Sequence, residues 1–153
     1  MSRRLPPPGP WPIDPDVDSA TGDGARWPRI VPAVLLLVFA GGCVGGWTRY
    51  AVTTAWSQPA FGFPWSTLAV NTAGALVLGI VVVVAARGPR WLRPLAGTGF
   101  CGGLTTFSAL VVAADRLAAH GHAATAFAYV AASTVAGVVA AWLGFRVACL
   151  AVR

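Results

Sequence analysis

The chain of 153 residues is 56% hydrophobic and only 10% charged, with a mean hydropathy of +0.68. Soluble domains carry roughly 25% charged residues, so the composition excludes a soluble fold and fits one small membrane domain. The net charge of +6 is no footprint for nucleic acid: all eleven basic residues are arginine, and they sit mostly in tails and connections, as charge does around membrane spans.

Residues 1–29, MSRRLPPPGPWPIDPDVDSATGDGARWPR, are rich in Pro, Gly and Asp and are expected to form a disordered tail. Arg3 and Arg4 are not followed by an apolar stretch, so the tail does not read as a cleavable signal. Four apolar segments follow, each near the roughly 20 residues that a bilayer core requires. They run from Ile30 to Trp56, Trp65 to Ala86, Arg93 to Ala114 and Ala123 to Cys149. The expected fold is therefore an all-α membrane domain over residues 30–150, with four transmembrane helices and short connections.

Arginine counts give the orientation. With the N-terminus inside, Arg3, Arg4, Arg26, Arg29, Arg87, Arg90, Arg93, Arg146 and Arg153 lie inside, while Arg116 and Arg49 lie outside. Nine against two predicts one fixed topology, N-in and C-in. In segment one, GGCVGG places Gly41/Gly45 and Gly42/Gly46 four apart, the spacing of close helix approach in lipid. In segment four, Tyr129, Ser133, Gly137 and Ala141 share one face. Cys43, Cys101 and Cys149 are widely spaced and odd in number, and read as buried inert thiols.

The spans contain no carboxylate: Asp115 sits at the end of segment three, next to Arg116. A proton-coupled transporter of four-helix size needs a titratable carboxylate at depth, so a small multidrug-type antiporter is disfavoured. His120 and His122 form an HGH connection that reads as solvated loop, and no nucleophile–base pair or phosphate loop points to an enzyme. Thr67 and Asn71 lie four apart on segment two, where an asparagine serves either an interhelical hydrogen bond or a solute.

The stretch GTGFCGGLTTFSAL, positions 97–110, is a poor helix former inside an apolar run. Its glycines and hydroxyls suit a third helix broken near its middle. Irregular backbone is tolerated at that depth only where protein or a water-filled cavity surrounds it, and freed carbonyls there can hold a cation.

Together GGCVGGWTRY, STLAVNTAGALVLG and GTGFCGGLTTFS resemble, in order and spacing, the Fluc/CrcB fluoride channels. The resemblance covers about Val34 to Arg146. It implies an antiparallel dimer in a bacterial inner membrane that passes fluoride passively and holds one structural Na⁺ at its centre. The backbone carbonyls of Gly102 and Thr105 match the Na⁺ ligands. Arg49, Thr67, Asn71, Phe107, Tyr129 and Ser133 match the residues of the pore. Two departures stand out. Leu110 replaces the family's second phenylalanine, and Gly137 replaces a second serine of the fourth helix. With the lopsided arginine count, they raise an alternative to the homodimer: a heterodimer with an oppositely biased paralogue, in which this chain is a half-active or non-conducting partner. A packing subunit with no pore remains the reading outside transport.

Overall fold

The computed structural model describes residues 32–152 except 57 and 60. The expected tail over residues 1–29 and the first two residues of segment one lie outside the described residues. Four helical spans are long and apolar enough to cross a bilayer. Helices α1 (Pro32–Ala55) and α2 (Trp65–Arg87) come first. The third span, Arg93–Ala119, has three parts: a π-helical segment Arg93–Cys101, a single turn α3 (Gly102–Leu104) and α4 (Phe107–Ala119). The last is α5 (Ala123–Ala151). At 1.5 Å per residue, 24 residues of α1 reach about 36 Å, enough for the roughly 30 Å of hydrocarbon.

The helices are apolar on nearly every side, which is how a chain reads when lipid rather than water surrounds it. Phe39, Trp47, Val135 and Leu150 face outward, while the core is small: Val70, Val81, Val83, Leu104, Leu117 and Tyr129. Trp56 and Trp65 mark one edge of the bundle and Trp91 the other, the positions where indoles favour headgroups. At the Trp91 edge the Arg87 guanidinium donates to the Val152 carbonyl at 3.3 Å, and Arg146 lies 5.6 Å from the Trp142 ring centroid.

Small residues do the work of a core. A Cβ on Gly41 would collide with the Leu95 carbonyl, and one on Gly45 with the Phe100 carbonyl. From the other side, Gly99 packs on Val38 and Gly103 on Gly42, so α1 and the third span touch backbone to backbone. Gly79 and Gly144 bring α2 and α5 together in the same way, against Ala141 and Leu76. The bundle is thus two intimate helix pairs. Of the two overlapping pairs in GGCVGG, only Gly41/Gly45 is consumed completely; Gly46 has nothing within 4 Å of an added Cβ.

Several expectations need correction. The second, third and fourth spans extend to Arg87, Ala119 and Ala151, because charged Arg87, Asp115 and Arg116 ride on helix ends rather than in loops. Cys43 is exposed on α1, not buried; only Cys101 is buried and Cys149 is half-buried. The HGH connection, by contrast, is the exposed turn expected of it; Phe61 packs against both His120 and His122, with centroids 4.4 and 6.0 Å apart, and ties the α1–α2 connection to the α4–α5 connection.

Candidate functional site

Between α3 and α4 the chain leaves the helix for two residues. Thr105 (φ −80°, ψ 152°) and Thr106 (φ −148°, ψ 121°) are extended. An extended pair strands backbone groups that cost several kcal/mol each if left open to hydrocarbon. Asn71 of α2 answers at Thr106. Its Oδ1 accepts from the Thr106 N–H at 2.8 Å, and its Nδ2 donates to the Thr106 carbonyl at 3.0 Å. The primary amide thus pairs with both backbone groups of one residue, as a neighbouring strand would. The Thr106 hydroxyl then accepts from the Ala109 N–H at 3.2 Å and caps the start of α4.

The Thr105 carbonyl is met by Arg49, whose Nη1 donates to it at 3.2 Å. Thr105 also turns inward: its hydroxyl and its N–H both bond to the Cys101 carbonyl at 2.9 Å. Gly74 of α2 makes room for it, since a Cβ there would overlap the Thr105 methyl. In a continuous helix the Thr106 N–H would bond to the Gly102 carbonyl; Asn71 takes it instead. Gly102 and Thr105 therefore present carbonyl oxygens of the hard type that suits a hard cation. The Arg49 guanidinium uses one of the two lone pairs of the Thr105 oxygen.

A second group of polar atoms lies on α5. Tyr129 is 0% exposed and Ser133 7%, one helical turn apart, and neither Oη nor Oγ has a hydrogen-bond partner. The Thr67 and Ser133 hydroxyls flank the Tyr129 phenol, yet no contact among the three closes to hydrogen-bond geometry. Buried hydroxyls without a partner cost about 1–3 kcal/mol each, so their clustering here is an unusual use of the interior of the bundle. Phe63 sets its ring against Tyr129 edge-on, at 5.4 Å and 86°.

Arg49, Thr67, Thr106 and Ser108 border one cavity of about 470 Å³, which joins the arginine to the hydroxyl series. Phe107 is not brought to it. That ring is 78% exposed and borders another groove with Leu110, Phe127 and Val130. Gly137 leaves open space on α5, with nothing within 4 Å of an added Cβ. The sequence did not single out Phe63, which sits in the connection QPAFGFP, and it marks Thr106 only as one hydroxyl of the break, whereas the N–H and carbonyl of that residue bind Asn71.

Fold and site together define a multi-pass membrane protein with an internal polar seam of hydroxyl and amide groups that, among the described residues, holds no carboxylate. A family model described as "CrcB-like protein, Camphor Resistance (CrcB)" matches residues 36–145. The chain belongs to that family. It is 38% identical over 130 residues to the "Fluoride-specific ion channel FluC 1" of Streptomyces coelicolor, covering 83% of this chain and 84% of the relative. It is 40% identical over 118 residues to the FluC 1 channel of Cutibacterium acnes, covering 73% and 82%. With the FluC 2 channel of Rhodococcus jostii it shares 43% identity over 112 residues, covering 73% and 96%.

Proposed function

We propose that this chain is a subunit of a fluoride-specific channel that lowers cytoplasmic fluoride by passive efflux. The observation that carries this reading is the unpaired pair of hydroxyls, Tyr129 Oη and Ser133 Oγ, in a seam without acid. Fluoride is small and strongly hydrated, so a pore must replace its water with several donors while holding it weakly enough for exit. Tyr129, Ser133 and Thr67 supply O–H groups. Asn71 commits one N–H to Thr106 and keeps a second. Arg49 raises the local anion concentration at the mouth; Phe107, turned away from this seam, offers its positive ring edge to an anion only where a second subunit completes the path. Hydrogen fluoride crosses lipid uncharged and ionises in a near-neutral cytoplasm, so a passive path for the ion is sufficient for protection.

In this reading two subunits lie antiparallel in the inner membrane of a bacterium. The Gly102 and Thr105 carbonyls of both subunits would hold one structural Na⁺, which would supply positive charge beside the anion path. Each subunit has both termini in the cytoplasm or both outside. Nine arginines against two support an N-in, C-in orientation for this chain and favour a paralogue of opposite bias as its partner. Leu110 in the Phe107 groove and the empty space at Gly137 are places where such a partner compensates.

The test is fluoride efflux from liposomes read by a fluoride electrode, with the full chain alone and with an oppositely biased paralogue. Fluoride efflux without chloride efflux is expected, larger with the partner than without it. No efflux in either preparation removes the channel reading, while robust efflux from the chain alone removes the heterodimer. Tyr129→Phe has a two-sided expected result. Deleting an unsatisfied buried hydroxyl raises thermal stability in detergent by about 1 kcal/mol. The same deletion removes a donor from the passage barrier and slows efflux about tenfold, the equivalent of one hydrogen bond.

A further inference from the structure

We propose that Gln58, Thr67 and Arg116 form an outer anion-binding site, on the exit side of the Tyr129–Ser133 seam, that takes a partly hydrated small halide; the identity of the ion rests on the fluoride reading above. Beneath the α1–α2 connection lies a cavity of about 300 Å³, bordered by Gln58, Pro64, Thr67, Arg116 and Leu117 among others. This equals roughly ten water volumes, room for an ion with part of its hydration shell.

The polar side chains that border it supply donors. Gln58 Nε2 is buried and has no hydrogen-bond partner. An amide N–H without a partner costs about 1–3 kcal/mol, a debt that an anion at this point cancels. Arg116 brings a guanidinium, and Thr67 a hydroxyl. No acidic residue borders the cavity: Asp115, the chain neighbour of Arg116, borders the separate Phe107 groove. The start of α2, at Pro64 and Thr67, adds the positive end of a 23-residue helix without a side-chain cap.

Position gives the site its purpose. Thr67 borders both this cavity and the one that holds Arg49, and it flanks the Tyr129 phenol. An anion that leaves the seam past the Thr67 hydroxyl therefore meets Arg116 as it regains water. The roof is held by the Phe61 ring stacked on His120 and His122, which fixes the connection that carries Gln58.

The experiment is a titration of sodium fluoride onto the full chain in detergent micelles, read by ¹⁹F line broadening of the ion. Arg116→Gln and Gln58→Leu are each expected to weaken the broadening about fivefold, and Arg116→Lys to restore most of it. Arg116 is exposed, so elution and thermal unfolding should match the parent chain. Broadening that is indifferent to both Arg116→Gln and Gln58→Leu overturns the site. Liposome efflux is measured in parallel. Broadening that depends on Arg116 in a chain that conducts no fluoride keeps the site and removes the channel reading; efflux with broadening indifferent to Arg116 does the reverse.

Discussion

Asn71→Asp is expected to cut fluoride efflux by about 100-fold while leaving a folded chain. Aspartate keeps the acceptor that meets the Thr106 N–H, but it replaces the donor that meets the Thr106 carbonyl with a second acceptor. Oxygen then faces oxygen. A carboxylate about 5 Å from a passing anion repels it by about 3 kcal/mol at an effective dielectric near 20, and each 1.36 kcal/mol added to a barrier is tenfold in rate. Efflux from liposomes measures the effect, and monodisperse elution in detergent shows that the chain still folds. Efflux at the parent rate would reduce Asn71 to a packing device and take the anion path away from it.

Gly45→Leu is expected to have the largest effect on stability. The Phe100 carbonyl occupies the space a Cβ needs, and the Leu104 nitrogen lies 2.8 Å from it. Both are backbone atoms, so no rotamer change relieves the overlap, and α1 must separate from the third span. Overpacking in a core costs about 1–3 kcal/mol even where side chains can yield. A loss above about 3 kcal/mol in detergent unfolding is therefore expected. Gly46→Leu, one residue on, meets open space within the chain and should leave that unfolding unchanged. If Gly46 faces a second subunit, its substitution lowers the crosslinked dimer fraction instead. Equal destabilisation by both substitutions would contradict the observed rotation of α1.

The four spans were legible because hydropathy and arginine placement act locally, whatever the helices pack against. The two glycine pairs of α1 were legible as a packing device, but the choice between them was not. Rotation of α1 is set by Gly99 and Gly103, far along the chain, and no periodicity within α1 encodes it. Asn71 stood out as a lone amide among apolar residues, yet its partners are the backbone N–H and carbonyl of Thr106, and backbone groups leave no signature in composition. The π-helical register of Arg93–Cys101 was not legible either, since its i→i+5 bonding departs from the 3.6-residue period on which pattern reading rests. Gln58 and Phe63 sit in a connection whose shape depends on the Phe61–histidine stack, a long-range contact.

The Asn71–Thr106 pairing has a consequence for biosynthesis. Asn71 precedes Thr106 by 35 residues, so during translation α2 reaches the bilayer first, carrying the amide that the later segment requires. The stranded backbone groups thus enter a membrane where their mate is already waiting. Reversing the order of these two spans in a permuted gene would send the irregular stretch into lipid unaccompanied, and a ribosome-bound intermediate halted between them should show α2 inserted and stable by itself.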